Sequence, residues 1–304
     1  MNRKTKQLLV RVGGFILLVA LAMMLHIYKS SPTKETTTTT LPLDIIEVHF
    51  IDVGQGDSIL IESENASMLI DAGENNQGSS VVDYLKSQNI TKLDYLIGTH
   101  PHSDHIGGLD MIINTFPIST IMMPPVTHTT ATFEDVLDAI ENKGLRLTKP
   151  VVGTQYEIGP ATFTILAPNS SEYSDLNNYS IVILLTYGTT SFIFTGDAES
   201  LSEGEMLSNG LDLSADVLKI GHHGSAYSST DAFLDAVNPT YAVISVGANN
   251  EYGHPHAKTL QAIKDRNIKL YRTDKQGTIV FTTDGSTISV NATNYTITKE
   301  DLEN

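Results

Sequence analysis

The 304-residue chain has no cysteine and no tryptophan. Without thiols there can be no disulfide scaffold, no thiolate metal site and no cysteine nucleophile, and the lipid-modified cysteine of a bacterial lipoprotein is excluded as well. A thiol-free chain is at ease in an oxidising exterior. Basic residues are also scarce. Six of the 19 (Arg3, Lys4, Lys6, Arg11, Lys29 and Lys34) precede the first acidic residue, Glu35, and the remaining 13 face 35 acidic residues, a net charge of −22. Such a surface repels nucleic acid and anionic lipid at long range. A bound cation can reverse that sign inside one cleft, so acidity alone does not exclude phosphodiester chemistry. Apolar residues make up 40% of the chain, enough for a sizeable core.

The N-terminus carries an apolar run without formal charge, the 17 residues from Val12 to Tyr28, just short of the about 20 that a spanning helix needs. The basic flank before it predicts a cytoplasmic N-terminus. The alternative is a cleaved signal peptide with Ala20 and Ala22 as the small-residue site. The anchor is favoured because the apolar run continues past Ala22 through "MMLHIY". Residues 1–30 are therefore expected to be a basic stub and single-pass membrane anchor, with all that follows extracellular, or secreted if the segment is cleaved. Residues 31–44 are Thr/Ser-rich without apolar periodicity and read as a linker.

From Ile45 onward, short β-branched runs ("IIEVHFIDV", "SILIE", "SMLIDAG", "LDYLIGT") alternate with amphipathic segments such as "TFEDVLDAIENKG", where Gly144 is the stop signal. "ATFTILAP", "SIVILLTYG" and "SFIFTGD" are strands in succession. No second linker and no internal repeat is visible, so residues 45–304 read as one α/β domain.

Three times an apolar strand runs out and metal-ligand chemistry appears. After "LDYLIG" comes "THPHSDHIGG", with His100, His102, Asp104 and His105 on a strand-to-helix connection. Imidazole and carboxylate at this spacing suit Zn²⁺ or Mn²⁺. His100 and His102 can turn toward one ion, Asp104 and His105 toward a second. After "FIFTG" comes Asp197, able to bridge two ions about 3.5–4 Å apart. After "VLKIG" come His222 and His223. Taken singly, Asp197 could be a helix cap and the histidine pair exposed turn residues; the recurrence carries the reading.

These motifs resemble the metallo-β-lactamase-fold hydrolases, through "THPHSDH" as their HxHxDH signature. With "FIDVGQGDSILI", "LIDAG", "NNYSIVILLTYG", "VISVGANNEYGHPH" and "YRTDKQGTI", the stretch from His49 to Val290 resembles the extracellular hydrolase domain of the ComEC family of DNA-uptake competence proteins. The many membrane spans of that family are absent here. The resemblance implies a four-layer αββα sandwich with the site along one edge. It implies His100, His102 and Asp197 around one divalent ion, and Asp104, His105, Asp197 and one of His222 and His223 around the other. His223 is preferred as the ligand and His222 as the residue facing substrate, since neighbouring side chains diverge. Asp71 matches a supporting aspartate that orients a ligand histidine; Asp57 either does the same or fixes a tight turn. Many members place a third histidine on the first ion. The only histidine in that interval here is His128, and the corresponding stretch holds Asn177 and Asn178, as in the competence branch.

Two further clusters follow strands. In "NNEYGHPH", His254 or His256 could donate to a phosphate oxygen or protonate a leaving group, with Tyr252 read as structural. In "GSAYSS", Ser225 and Ser228 bind phosphate oxygens or cap the next helix. The expected mechanism is attack by a water made acidic by two ions and oriented by Asp104. The resemblance points to phosphodiesters, including single-stranded DNA. A cell-envelope polymer cleaved as a phosphorylcholine esterase would, a lactone or β-lactam, and a non-enzymatic metal-stabilised binding domain are the alternatives; the intact ligand set argues against the last.

Overall fold

The computed structural model describes residues 44–303, so the expected anchor and nearly all of the linker lie outside the described residues. Among the described residues no helix is long and apolar enough to cross a membrane. The chain first lays down β1 (Ile46–Phe50), β2 (Ile59–Glu62), β3 (Ser67–Ile70), β4 (Leu93–Ile97), β5 (Ile118–Met122) and β6 (Leu147–Thr148) side by side in one sheet. It then builds a second sheet in the same sequential way from β7 (Gln155–Ile158), β8 (Ala161–Ala167), β9 (Val182–Tyr187), β10 (Thr190–Phe194), β11 (Val217–Lys219), β12 (Tyr241–Ile244) and β13 (Lys269–Arg272). Finally β14 (Ile279–Thr283) and β15 (Ile288–Val290) return to the first sheet beside β1.

Both sheets start antiparallel and finish parallel. In the first, β1, β2 and β3 pair antiparallel, and β3 through β6 pair parallel. In the second, β7 through β10 are antiparallel and β10 through β13 parallel. The changes fall at β3/β4 and β10/β11. Strand order follows sequence order through these segments and each sheet keeps its helices on one outer face, so the parallel neighbours β3 and β4, and likewise β10 and β11, send their following loops out at the same edge of their sheet.

Period-two alternation explains the layers. On β1 and β2, Val48, Phe50, Ile59 and Ile61 point between the sheets with Phe163, Phe192, Phe194 and Phe281. Leu60 and Leu69 point the other way, under helices α1 (Gly78–Ser87), the single-turn α2 (Ser103–Ile106), α3 (Leu109–Thr115) and α4 (Ala131–Asn142). On the far side, Ile193, Leu218 and Ile244 lie under α5 (Ser200–Ser208), α6 (Asp231–Val237) and α7 (Ala257–Asp265). The result is the αββα sandwich. Helix α4 ends just before Gly144, which takes φ +66°, so that stop signal was correctly placed.

Phe281 joins the inner layers. Its ring meets Phe50, Phe192, Tyr241 and Tyr271 at centroid separations of 5.8, 6.2, 5.8 and 5.4 Å, all edge-on. Phe281→Ala should lower unfolding stability by about 3–5 kcal/mol, measured as a fall in urea midpoint without a change in slope. A loss below about 1 kcal/mol would show that the sheets are not locked there.

Candidate metal centre

The loops leaving β3, β4, β10 and β11 meet at one edge of the sandwich. His100 and His105 are fully buried, His223 and Asp197 nearly so, while His102, Asp104 and His222 face a cleft of about 350 Å³. Nε2 of His105 lies 3.2 Å from Nε2 of His223 and 3.2 Å from Asp197 Oδ1. Nε2 of His223 lies 3.2 Å from Asp104 Oδ2 and 3.5 Å from Asp197 Oδ2. Nε2 of His100 and Nδ1 of His102 stand 3.0 Å apart, with Asp197 Oδ2 4.0 Å from the former. Two donor atoms on one tetrahedral zinc, each about 2.0–2.1 Å away, are about 3.3 Å apart. The four separations among His105, His223, Asp104 and Asp197 just given have that spacing, while His105 Nε2 and Asp104 Oδ2 stand wider, at 3.9 Å. Asp197 stands between them and the His100/His102 pair.

The outer nitrogens are already engaged, which fixes the rings. His105 Nδ1 donates to Asp71 Oδ2 (2.8 Å), and His223 Nδ1 donates to the carbonyl of Ser245 (2.9 Å). Asp71, at φ +58°, also accepts from the amide and hydroxyl of Thr99, at 2.8 and 2.7 Å. The hydroxyl of Ser180 lies 3.3 Å from His100 Nδ1 and accepts from the amide of Asp197 at 3.0 Å. His222 and His223 are consecutive residues at φ +48° and +52°. Each left-handed residue costs about 1–2 kcal/mol, and the bend sends the two rings apart, 76° between planes. His223 goes inward. His222 faces the cleft, Nε2 3.6 Å from Asp197 Oδ2, held by Glu199 Oε1 at 3.2 Å from Nδ1.

Asp57, His105, Asp197 and His223 form a buried group able to hold a cation. Within it Asp57 has a distinct position. Its oxygens approach the Nδ1 atoms of His105 (3.8 Å) and His223 (3.5 Å), behind the rings. Its partner is Lys219, whose Nζ lies 2.8 Å away and is fully buried. That ammonium also donates to the carbonyls of Gly196 (3.1 Å) and Ile220 (3.0 Å), so all three protons are placed. Gly56 lets the Asp57 loop approach, because a Cβ there would collide with the carbonyl of Asp104.

Charge makes the same point as distance. Burial would lower His105, but Asp197, Asp104 and Asp71 hold it well above the usual histidine range. Burial opposes the charge of His223 too, yet Asp197 and Asp104 push it up to about 10. Burial would raise Asp104, and the charges of His105 and His223 instead keep it well below the carboxylate range. The cluster is short of positive charge, and protons and divalent cations compete to supply it. His100 and His102 are lowered, chiefly by burial, and so offer neutral nitrogens. Asp197 Oδ1 is buried without a hydrogen-bond donor. This donor set fits divalent ions.

Other sequence-selected residues lie elsewhere. Asn178 turns away from the cleft, its Oδ1 accepting from the amides of Glu199 (3.3 Å) and Ser202 (3.2 Å) at the start of α5; Asn177 is the one that lines the cleft. Ser225 Oγ accepts from the amide of Tyr227 (3.3 Å), Ser228 Oγ donates to the carbonyl of Ala198 (2.9 Å), and His256 Nδ1 accepts from the amide of Ala226 (2.9 Å). These three secure loops. Burial and the neighbouring His222 and His223 push His254, on the cleft wall, down to about 4. Tyr252, 65% exposed, stands at the rim stacked on His254, and His128 also lines the cleft. Lys219, Glu199 and Ser180 were not singled out in the sequence. A lysine inside the apolar run "VLKIG" was the available signal for the first.

Lys219→Met should lower stability by about 3–5 kcal/mol, since Asp57 would be left buried and unpaired. Lys219→Met combined with Asp57→Asn should regain most of it. A double variant no more stable in urea than the single one would break the pairing argument.

Comparison with known proteins gives a consistent picture. Residues 51–248 match the family described as the Metallo-beta-lactamase superfamily. The chain is 33% identical over 253 residues to ComE operon protein 3 of Bacillus subtilis, covering 77% of this chain and 33% of that protein. It is 30% identical over 232 residues to Competence protein ComA of Neisseria gonorrhoeae, covering 76% of this chain and 31% of that one. It thus spans about a third of the length of these relatives. Among solved structures, the metallo-beta-lactamase fold protein YhfI from Bacillus subtilis superposes with a TM-score of 0.53 at 14% identity, over 79% of this chain and 100% of that one. This chain belongs to the metallo-beta-lactamase superfamily.

Proposed function

We propose that the protein is a two-metal phosphodiesterase, acting on single-stranded DNA or a related phosphoester outside the membrane to which residues 1–30 anchor it. The observation that carries this reading is the convergence of His100, His102, Asp104, His105, Asp197 and His223 on one cleft edge, with Asp197 between the two histidine groups. His100, His102 and Asp197 would hold one ion, and Asp104, His105, Asp197 and His223 the other, as Zn²⁺ or Mn²⁺. Bound there, such ions supply Lewis acidity and bring the pKa of water down toward about 7.

The chain's own groups do the rest. Asp104 is ionised and opens onto the cleft, so it would orient the attacking water by accepting a hydrogen bond from it. His222, fixed by Glu199, faces the incoming substrate. His254 is neutral at pH 7, so it can donate its ring N–H to a phosphate oxygen but carries no additional proton for a leaving group. The cleft wall is chiefly imidazole, carboxylate and amide, groups able to hydrogen-bond a phosphoester. The exposed ring of Tyr252 supplies a surface on which a base can stack. The resemblance to the DNA-uptake family favours a nucleic-acid substrate, and one relative carries a competence name.

Chelator-treated protein resupplied with Mn²⁺ or Zn²⁺ should hydrolyse bis-p-nitrophenyl phosphate and single-stranded DNA but not nitrocefin or p-nitrophenyl phosphorylcholine. Asp197→Ala should reduce either phosphodiesterase rate at least about a hundredfold with an unchanged circular dichroism spectrum; a variant with wild-type rates refutes the bridging role. Tyr252→Ala should weaken kcat/KM about fivefold to a hundredfold on DNA alone, the value of one base–aromatic stack of ~1–3 kcal/mol. Equal effects on the small diester would remove the stacking role.

A further inference from the structure

A second group of metal-ligating side chains lies on the helix-facing side of the first sheet, apart from the cleft. Glu47 and His49 are alternate residues of β1, on the face opposite Val48 and Phe50, and Glu47 pairs directly with Glu62 of β2 in the antiparallel register. Like charges placed opposite one another destabilise a strand pair, so a positive charge between them has work to do. No lysine or arginine bridges the two carboxylates among the described residues. What lies between them is His49, 2% exposed.

The geometry of that ring is informative. Its Nε2 is 3.0 Å from Glu62 Oε1 and 3.6 Å from Glu47 Oε2, yet it makes no hydrogen bond. Glu62 Oε1 is near enough for a hydrogen bond yet sits beside the axis along which an N–H would point, and Glu47 Oε2 lies beyond hydrogen-bond distance. An imidazolium held by ion pairing would aim its proton at one of them. Atoms sharing a tetrahedral ion stand about 3.3 Å apart, with the nitrogen lone pair directed at the ion and not at the neighbouring oxygen, and the two observed separations bracket that value. The other nitrogen, Nδ1, is 2.8 Å from the hydroxyl of Tyr84 on α1. This outer support parallels that given by Asp71 to His105 and by Ser245 to His223.

We propose that Glu47, His49 and Glu62 bind a further divalent cation, Zn²⁺ by donor type, independent of the cleft. Glu47 is the exposed member and leaves the remaining position to water. With His49 buried and the site closed by Tyr84, the ion is structural. It ties β1 to β2, the two strands that flank the loop bearing Asp57.

The test is a metal count on the full chain. Wild type, Glu62→Gln and His49→Gln are stripped with chelator, reloaded with Zn²⁺, desalted and analysed by plasma mass spectrometry, with folding checked by circular dichroism. Each folded variant should lose one zinc per chain relative to wild type while retaining the ions of the cleft. In zinc-soaked wild-type crystals, an anomalous peak should lie within bonding distance of His49 Nε2 and Glu62. Equal counts in wild type and Glu62→Gln, or no peak at His49, overturn the proposal. The crystal measurement stands even if neither variant folds, and neither measurement depends on what the cleft hydrolyses.

Discussion

Burial of negative charge at one edge of the sandwich is the constraint around which the site is arranged. Asp57, Asp71, Asp104 and Asp197 all lie there, three of them almost fully out of water. Isolated buried carboxylates cost many kcal/mol unless paired or hydrogen-bonded. Among the described residues, Lys219 is the only fixed cation placed among them, and it serves Asp57. Asp71 is matched by Thr99 and His105. Asp104 and Asp197 are left facing imidazoles, and those imidazoles consequently hold protons tightly. A pair of divalent ions would replace the protons and satisfy the same demand.

Topology brings the charges together. Each sheet begins as an antiparallel meander and ends as a parallel array, so the parallel pairs β3/β4 and β10/β11 each deliver their following loops to one edge. Asp71 and the His100–His105 segment follow the first pair, Asp197 and His222/His223 the second. Sequence positions more than a hundred residues apart therefore meet within hydrogen-bond distance, as His105 and His223 do. Lys219 reinforces the meeting by reaching from the end of β11 to a loop of the first sheet and to the turn before Asp197. The left-handed backbone at Asp71, His222 and His223 is local strain accepted where ligand direction matters.

Much of this was legible in the sequence because both signals are periodic or compositional. Alternation of apolar residues marks strands whichever sheet they join, and four histidine-and-aspartate positions in one short loop are poor core material. Less was legible where the decisive fact is the direction of one side chain. Asn177 and Asn178 are neighbours, but the short helical turn sends one to the cleft and the other into the cap of α5. Ser225, Ser228 and His256 carry the right chemistry and spend it on loop backbone. Lys219 sits inside an apolar strand, and its partner Asp57 is 162 positions away, so neither residue announces the other. Glu199 is unremarkable until the bend at His222 brings the ring against it.

The central claim is that Asp197 is shared by two ions while Asp57 stays with Lys219. Anomalous diffraction at the zinc edge from zinc-loaded crystals measures this directly. The account predicts two peaks flanking the Asp197 carboxylate, one beside His100 and His102 and the other beside Asp104, His105 and His223, with Asp57 still paired to the Lys219 ammonium. A single ion bound by Asp57, or a cleft without a peak on either side of Asp197, would contradict it.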